Sequence, residues 1–416
     1  MKILALTPQL PYPPMQGTTL RNFYLLRELA RRHELSLLTF VQANEVLNAN
    51  SPLYAFCRAI RTVPAPPRRG LAQRALTSLT SPLPDMALRL PSANFTEALR
   101  AWLAEDDFDI IQVEGIEMAS YGLQARKFYG TRARLVFDDH NAEYVLQRSA
   151  FQADARRPSR WHAALYSFVQ WQKLARYERD VMRAHDAVAA VSQTDAHALQ
   201  QIAPGLTVHV VPNGVDTAEF APRPDRMQDS RDVLPTNSQS PNSTTDLVFT
   251  GKMDYRPNID AVLWFADEIL PRVRAQLPTA RFVIVGQQPH ARLAPLAARD
   301  GVLLTGWVPD VKPYIAAAAV YVAPLRMGGG TRLKVLQAMS LAKPIVSTSL
   351  GCDGLSIQSG REALLADTPD AFAAAVLRLL HDPALGQQLG AQARALAIAR
   401  YDWRIIGPLM EACYAA

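Results

Sequence analysis

The feature that most limits this chain is a double series of short apolar runs, each followed by an amphipathic stretch. The first series reads KILALTP, HELSLLTF, DIIQVEG, RARLVFDDHN, DAVAAVS and TVHVVPNG, with helical patterns such as LRNFYLLRELARR and FTEALRAWLAED among them. The second reads DLVFTG, ARFVIVG, VLLTGWV, VYVAPL, PIVSTS and ALLAD, interspersed with NIDAVLWFADEILPRVRAQL, VKPYIAAA and PDAFAAAVLRLLHD. Strands that are apolar on both sides must be covered on both sides, and the intervening helices supply the cover. The alternation predicts an α/β chain of βαβ units with parallel sheets, in two doubly wound domains. Residues 51–92, rich in proline and arginine, read as an irregular or short-helix insert.

A polar stretch separates the two series. Residues 222–246, PRPDRMQDSRDVLPTNSQSPNSTTD, lack the apolar content to order themselves and read as a linker or disordered insert. The domains are therefore placed at 1–221 and 247–401. Three widely spaced cysteines give neither a disulfide framework nor a metal spacing, which points to a reducing, cytoplasmic setting. The apolar start stops at Pro8, too soon for a signal peptide, and no run approaches the roughly 18 residues of a membrane span.

Net charge is +6, and two segments concentrate it. Residues 51–100 carry seven arginines against Asp85 and Glu97; residues 148–183 carry eight Lys/Arg against three acids. The second segment interleaves Trp161, Tyr166, Phe168, Trp171 and Tyr177 with its bases. Such a helix suits the surface of an anionic membrane, and suits equally a solvated helix packed by its aromatic side. No nucleic-acid-binding module is present, so no nucleic acid partner is expected.

Residues 324–349, PLRMGGGTRLKVLQAMSLAKPIVSTS, hold the sharpest chemical signal. A strand, three glycines and a helix start bring free N–H groups and the helix dipole to one place. Arg332 and Lys334 add positive charge there, so the segment reads as a diphosphate site. It is not a Walker loop, which needs Gly-Lys-Ser/Thr. Likewise no G-x-G-x-x-G follows the first strand, which argues against a dehydrogenase.

Several stretches together resemble the glycosyltransferases of family 4, whose GT-B architecture sets two Rossmann-like domains facing across a cleft. They are PYPPMQGTTLRNFYLLRELARRHELSLLT, FDDHNAEY, AVSQTD, VVPNGVDTAEF, FTGKMDYRPNIDAVLWF, FVIVG, TGWVPDVKPYIAAAAVYVAPLR and the glycine segment. They cover nearly the whole chain in order, in the form of a branch that builds bacterial surface polysaccharides. The resemblance implies retaining, metal-independent transfer from a nucleotide-diphosphate sugar, with no cofactor. It implies that the first domain takes the acceptor, the second the nucleotide sugar, and that helix 402–416 returns to the first. A lipid-linked saccharide acceptor is expected with it, and the basic aromatic helix near 156–183 motivates peripheral action at the inner face of the cytoplasmic membrane.

Residue by residue, the resemblance places His140 near the sugar and leaving phosphate, with Glu114, at the end of DIIQVEG, orienting it or the acceptor. Gly17 would bring its backbone to the diphosphate, with Arg21 one turn on. Lys252 stands where the family carries arginine; the family's lysine falls near Asn258, with Arg256 close by. Gly329, Gly330 and Thr331 join the diphosphate site, and Trp307 and Val308 fall where the base binds. The family's two glutamates, eight apart, are replaced here by Gly329 and Gln337. Gln337 retains an acceptor oxygen for ribose but no charge. That replacement leaves open a second reading, a non-catalytic partner of another transferase. A GT-B epimerase would need a carboxylate pair, and none is obvious near these motifs.

Overall fold

The computed structural model describes residues 1–42, 45, 47–130, 132–156, 158–222, 245–328 and 332–415. Gly329, Gly330, Thr331 and most of the polar stretch, 223–244, lie outside them. Contacts divide the chain into two units. The first is Met1–Asn213 with Trp403–Ala416; the second is Gly214–Asp402.

The first unit is built on seven parallel strands: β1 (Lys2–Thr7), β2 (Glu34–Val41), β3 (Cys57–Pro64), β4 (Ile110–Glu114), β5 (Arg134–Asp139), β6 (Ala187–Ala190) and β7 (Val208–Val210), in the order β3-β2-β1-β4-β5-β6-β7. The central strands are covered on both faces: Ile3, Leu4, Ala5 and Leu6 are all fully buried. Their cover comes from α1 (Gly17–Leu29), α2 (Leu71–Thr80), α3 (Ala93–Glu105), α4 (Ala119–Tyr129), α5 (Glu143–Ala155), α6 (Trp161–Ala184) and α7 (Gln193–Ile202). The exception is α2, which buries no residue.

The insert expected over 51–92 contains a strand. β3 pairs in parallel with β2 at the sheet edge. It escaped the apolar pattern because only Cys57 and Val63 are buried, while Arg58 is exposed and Arg61, half-buried, lies over the Trp102 ring and pairs with Glu105. Charged residues and a terminal proline are how sheets finish an open edge.

The helix Trp403–Ala415 belongs to the first unit. Trp403 stacks on Tyr24 with centroids 6.0 Å apart, and Ile406, Met410 and Cys413 are fully buried. Gly407 allows the close approach: a Cβ there would lie 2.7 Å from Glu28 Cγ.

The second unit repeats the design with β8 (Asp246–Thr250), β9 (Arg281–Val285), β10 (Val302–Gly306), β11 (Val320–Ala323), β12 (Ile345–Ser347) and β13 (Leu364–Leu365), ordered β10-β9-β8-β11-β12-β13 and all parallel. Its helices are α8 (Arg256–Trp264), α9 (Leu270–Gln276), α10 (Lys312–Ala317), α11 (Leu333–Ser340), α12 (Pro369–His381) and α13 (Pro383–Leu396). The sequence predicts one helix from Asn258 to Leu277. Instead a wide turn, Phe265–Ile269, separates α8 from α9. Pro271 has no N–H to give a carbonyl one turn back, and the wide turn absorbs the loss. Strand order reverses beside β1 in the first sheet and β8 in the second, and ligands of such sheets sit beyond the carboxyl ends there.

Candidate active site

In the first unit, the carboxyl ends of β4 and β5 deliver Glu114, Asp138, Asp139 and His140. Glu114 and Asp138 are fully buried. Arg21, on the second turn of α1 after Gly17, grips Asp138 with two hydrogen bonds of 2.8 Å. Its remaining nitrogen donates to Pro212 O and Asn213 Oδ1, both at 3.1 Å. This fork matches the carboxylate plane, the geometry that makes an arginine pair strong. Gly17 itself is exposed at the helix start.

His140 sits 2.9 Å from Glu114 through Nε2, and 3.9 Å from Asp138. With its amide turned to donate, Asn22 gives Glu114 Oε2 a second bond of 2.9 Å. Glu114 Oε1 accepts from Gln112 Nε2, and Gln112 Oε1 accepts from Tyr414 OH on the C-terminal helix. A relay therefore runs Tyr414–Gln112–Glu114–His140. Burial alone would lower the imidazole pKa, but the Glu114 hydrogen bond and the Asp138 charge outweigh it and raise the value. Glu114 is raised too, first by burial and then by Asp138. The His140 imidazole is thus more basic than an ordinary one, with Nε2 facing Glu114.

Glu114, Asp138 and His140 bring three ligand atoms within 4.8 Å of one another, close enough for a metal. The donor set does not fit one. Both oxygens of Asp138 are held by Arg21, and both of Glu114 by Asn22, His140 and Gln112, so an ion would have to displace the guanidinium.

Behind His140 lies a group of carboxylates that the sequence does not reveal. Glu178 of α6 accepts from the backbone N–H of Glu143 at 2.7 Å and of Tyr144 at 2.9 Å, capping α5. Asp195 accepts from Ala142 N at 3.2 Å. Asp139 is buried, with no hydrogen-bond partner for either oxygen among the described residues. Burial and mutual repulsion push Asp139 and Glu178 well above the usual carboxylate range, and Glu143 up to about 7. Like charges held this close in a low dielectric keep protons instead. In the sequence, Glu178 counts only as one acid in a basic helix; the fold across 35 residues gives it its role.

In the second unit, β8 and β11 point their carboxyl ends at the start of α11. Arg332 is the residue before the helix, buried, and donates to Gly328 O at 2.8 Å. Lys334 turns its amine inward, 2.7 Å from Asn258 Oδ1 and 4.1 Å from the centre of the Phe249 ring. Asn258 Nδ2 in turn donates to Lys252 O at 2.8 Å. A Cβ at Gly251 would lie 2.7 Å from both Lys334 Nζ and Asn258 Nδ2, so only glycine leaves room for this contact. The resemblance looks for an amine near position 258; here Lys334 supplies one from 76 residues away. Burial, then Arg332, pushes the Lys334 pKa well below that of an ordinary lysine.

The other candidate residues of this unit lie just after β8, on α8 and α11, and just after β10. Lys252 is partly exposed and pairs with Asp254 at 3.3 Å. Arg256 opens α8 on the surface. Gln337 lies one turn beyond Lys334, on the same side of α11. Trp307, 59% exposed, and Val308 follow the end of β10, two strands from β8 at the sheet edge.

Residues 15–219 match the family model described as Glycosyltransferase Family 4, and residues 244–382 match the one described as Glycosyl transferases group 1. Together they span most of the chain and meet at the polar stretch. The chain belongs to the family 4 glycosyltransferases. Among its relatives in this family is the phosphatidyl-myo-inositol mannosyltransferase of Mycolicibacterium smegmatis, 25% identical over 76% of this chain and 73% of that one. The lipopolysaccharide core biosynthesis mannosyltransferase LpcC of Rhizobium leguminosarum is 25% identical over 55% of this chain and 64% of LpcC. The family 4 glycosyltransferase also shares its fold, at a TM-score of 0.69 and 18% identity over both full lengths, with Anabaena HepE, solved with UDP and glucose. The fold is therefore GT-B, two parallel-sheet α/β domains. Among the described residues no helix is long and apolar enough to cross a membrane.

Proposed function

We propose that this glycosyltransferase moves a sugar, with retention, from a nucleotide-diphosphate sugar to a lipid-linked saccharide at the inner face of the cytoplasmic membrane. The observation that carries the reading is the Arg332–Lys334–Asn258 cluster at the start of α11. Among the described residues the Lys334 amine meets a neutral amide, an aromatic ring and the charge of Arg332 but no acidic partner, and a diphosphate is the anion that the family's donors bring. Lys334 and Arg332 would balance the leaving diphosphate without a metal, aided by the N–H groups of the glycine segment and by Lys252 and Arg256. Gln337 would accept from the ribose, with the base beside Trp307 and Val308. In the first unit, His140 Nδ1 would face the reacting sugar, its ring fixed by Glu114. The named acceptors of the two curated relatives, a phosphatidylinositol and a lipopolysaccharide core, support a lipid-linked saccharide.

Calorimetric titration with UDP and GDP in the presence of a chelator tests the reading. Binding of one nucleotide, abolished by Arg332→Ala with Lys334→Ala, is the expected result. Binding that needs a divalent ion would refute metal independence. Gly329 and Gln337, in place of two glutamates, favour the second reading, a non-catalytic partner, if neither nucleotide binds.

A further inference from the structure

Two neighbouring helices of the first unit turn large apolar side chains to solvent. On α2, Leu71, Leu76 and Leu79 are 82%, 61% and 85% exposed, and Leu83 follows just beyond. A ten-residue helix with no buried residue gains nothing from the core, so its leucines serve something outside it. On α6, Trp161, Leu165 and Phe168 fall at i, i+4 and i+7 and form one exposed stripe. The helices are pinned together: Arg74 donates to Tyr166 OH at 3.2 Å, Gln170 to Ser78 Oγ at 3.0 Å, and Lys173 to Ser78 O at 2.7 Å and Ser81 O at 2.6 Å.

The charge around these side chains has one sign. No acidic residue occurs in 65–84 or in 155–177. The flanking acids are buried and spoken for: Asp85 by Arg69 and Arg74, and Asp154 by Arg160. Arg68, Arg156 and Arg176 are exposed and have no acidic partner among the described residues. Exposed apolar side chains on segments whose exposed arginines lack acidic partners match a bilayer with anionic headgroups, where leucine and tryptophan enter the interface and guanidinium groups meet phosphate.

We propose that α2 and the N-terminal half of α6 form a docking surface for an anionic lipid bilayer. The purpose of such a surface rests on the reading of a lipid-linked acceptor; its existence is tested without it. α5 starts three residues after His140 and, at about 1.5 Å per residue, leads about 20 Å to the turn before Trp161. The membrane-facing tip and the His140 loop are thus the two ends of one helical hairpin.

The test is sedimentation of the full chain with vesicles of phosphatidylcholine alone, or of phosphatidylcholine mixed with phosphatidylglycerol. Binding is expected only with phosphatidylglycerol and should weaken as salt rises. Leu76→Ser with Leu79→Ser and Leu165→Ser, all at exposed positions, should lower partitioning at least about tenfold at unchanged melting temperature. Arg68→Gln with Arg156→Gln and Arg176→Gln should reduce the salt dependence. No binding to anionic vesicles at low salt overturns the proposal, as does a serine variant that binds vesicles normally but loses a wild-type dimer in analytical ultracentrifugation. Vesicle binding by a protein that takes up neither UDP nor GDP would leave the surface standing and sink the transferase reading alone.

Discussion

Replacing Lys334 by methionine should make the second unit more stable and its nucleotide affinity lower. Among the described residues the wild-type amine has one hydrogen bond, to Asn258, and it lies against the Phe249 ring with Arg332 nearby. Burying a charge costs several kcal/mol after relaxation, whereas its bond to the amide oxygen returns only about 1.5–3 kcal/mol. Methionine keeps the unbranched shape and removes the charge. Its own cost is an Asn258 oxygen left without the amine, about 1–3 kcal/mol. The balance favours methionine by about 1 kcal/mol, a rise of about 2–4 °C for a unit of this size. The sign with pH follows from the depressed pKa. The unfolded chain binds the Lys334 proton more readily than the folded one, so wild-type stability rises with pH up to the ordinary lysine range. The advantage of methionine therefore shrinks as the solution becomes alkaline. Nucleotide binding moves the other way: losing a charge-assisted bond to phosphate is worth about 1.5–3 kcal/mol, about 10- to 150-fold in Kd. Scanning calorimetry at several pH values, with titration of UDP and GDP, measures both. A methionine variant that melts below wild type at neutral pH, or that binds nucleotide within about threefold of it, would refute the reasoning.

Arg21→Met leaves Asp138 buried and unpaired beside Glu114, and should cost the first unit about 3–5 kcal/mol in urea unfolding, with partial recovery on adding Asp138→Leu. For the carboxylate group behind His140 the sign is opposite to that of Lys334. Because the folded chain holds protons on Glu143, Asp139 and Glu178 that the unfolded chain has released, stability falls as pH rises from 4.5 through about 7. Glu143→Gln should flatten thermal melts across that range, and an unchanged slope would show that the group does not hold those protons. His140→Asn should lower the rate of sugar transfer by about 100-fold or more while leaving nucleotide titration unchanged; equal loss of both would place His140 in donor binding instead.

The fold was legible where burial is symmetrical. Runs such as KILALTP and ARFVIVG are apolar throughout because helices cover both faces of their strands, and no other element tolerates that pattern at that length. β3 was missed because an edge strand buries little and hides its charges from no one. For the candidate site, chain position served for groups at strand ends: Glu114, His140 and the residues before α11 all follow apolar runs. What stayed hidden was pairing over distance. Asp138 finds Arg21 across 117 residues, Lys334 finds Asn258 across 76, and Glu178 caps α5 from another helix. Each contact depends on strand order, which spacing along the chain does not encode. Arg332 likewise reads as helical by pattern, yet it precedes the first turn, where its side chain reaches back to Gly328.

The C-terminal helix has a consequence for the order in which the protein can be made. The second unit is one continuous stretch, Gly214–Asp402, and is complete before Trp403 is made. The first unit is not: it has its seven strands by Val210, but Tyr24 waits for Trp403, and Gln112 waits for Tyr414. The part that emerges first is thus the part completed last. Until residues 403–415 have been made, α1 presents to the cell the apolar seam that Ile406, Met410 and Cys413 will close, a seam open to chaperones and to aggregation.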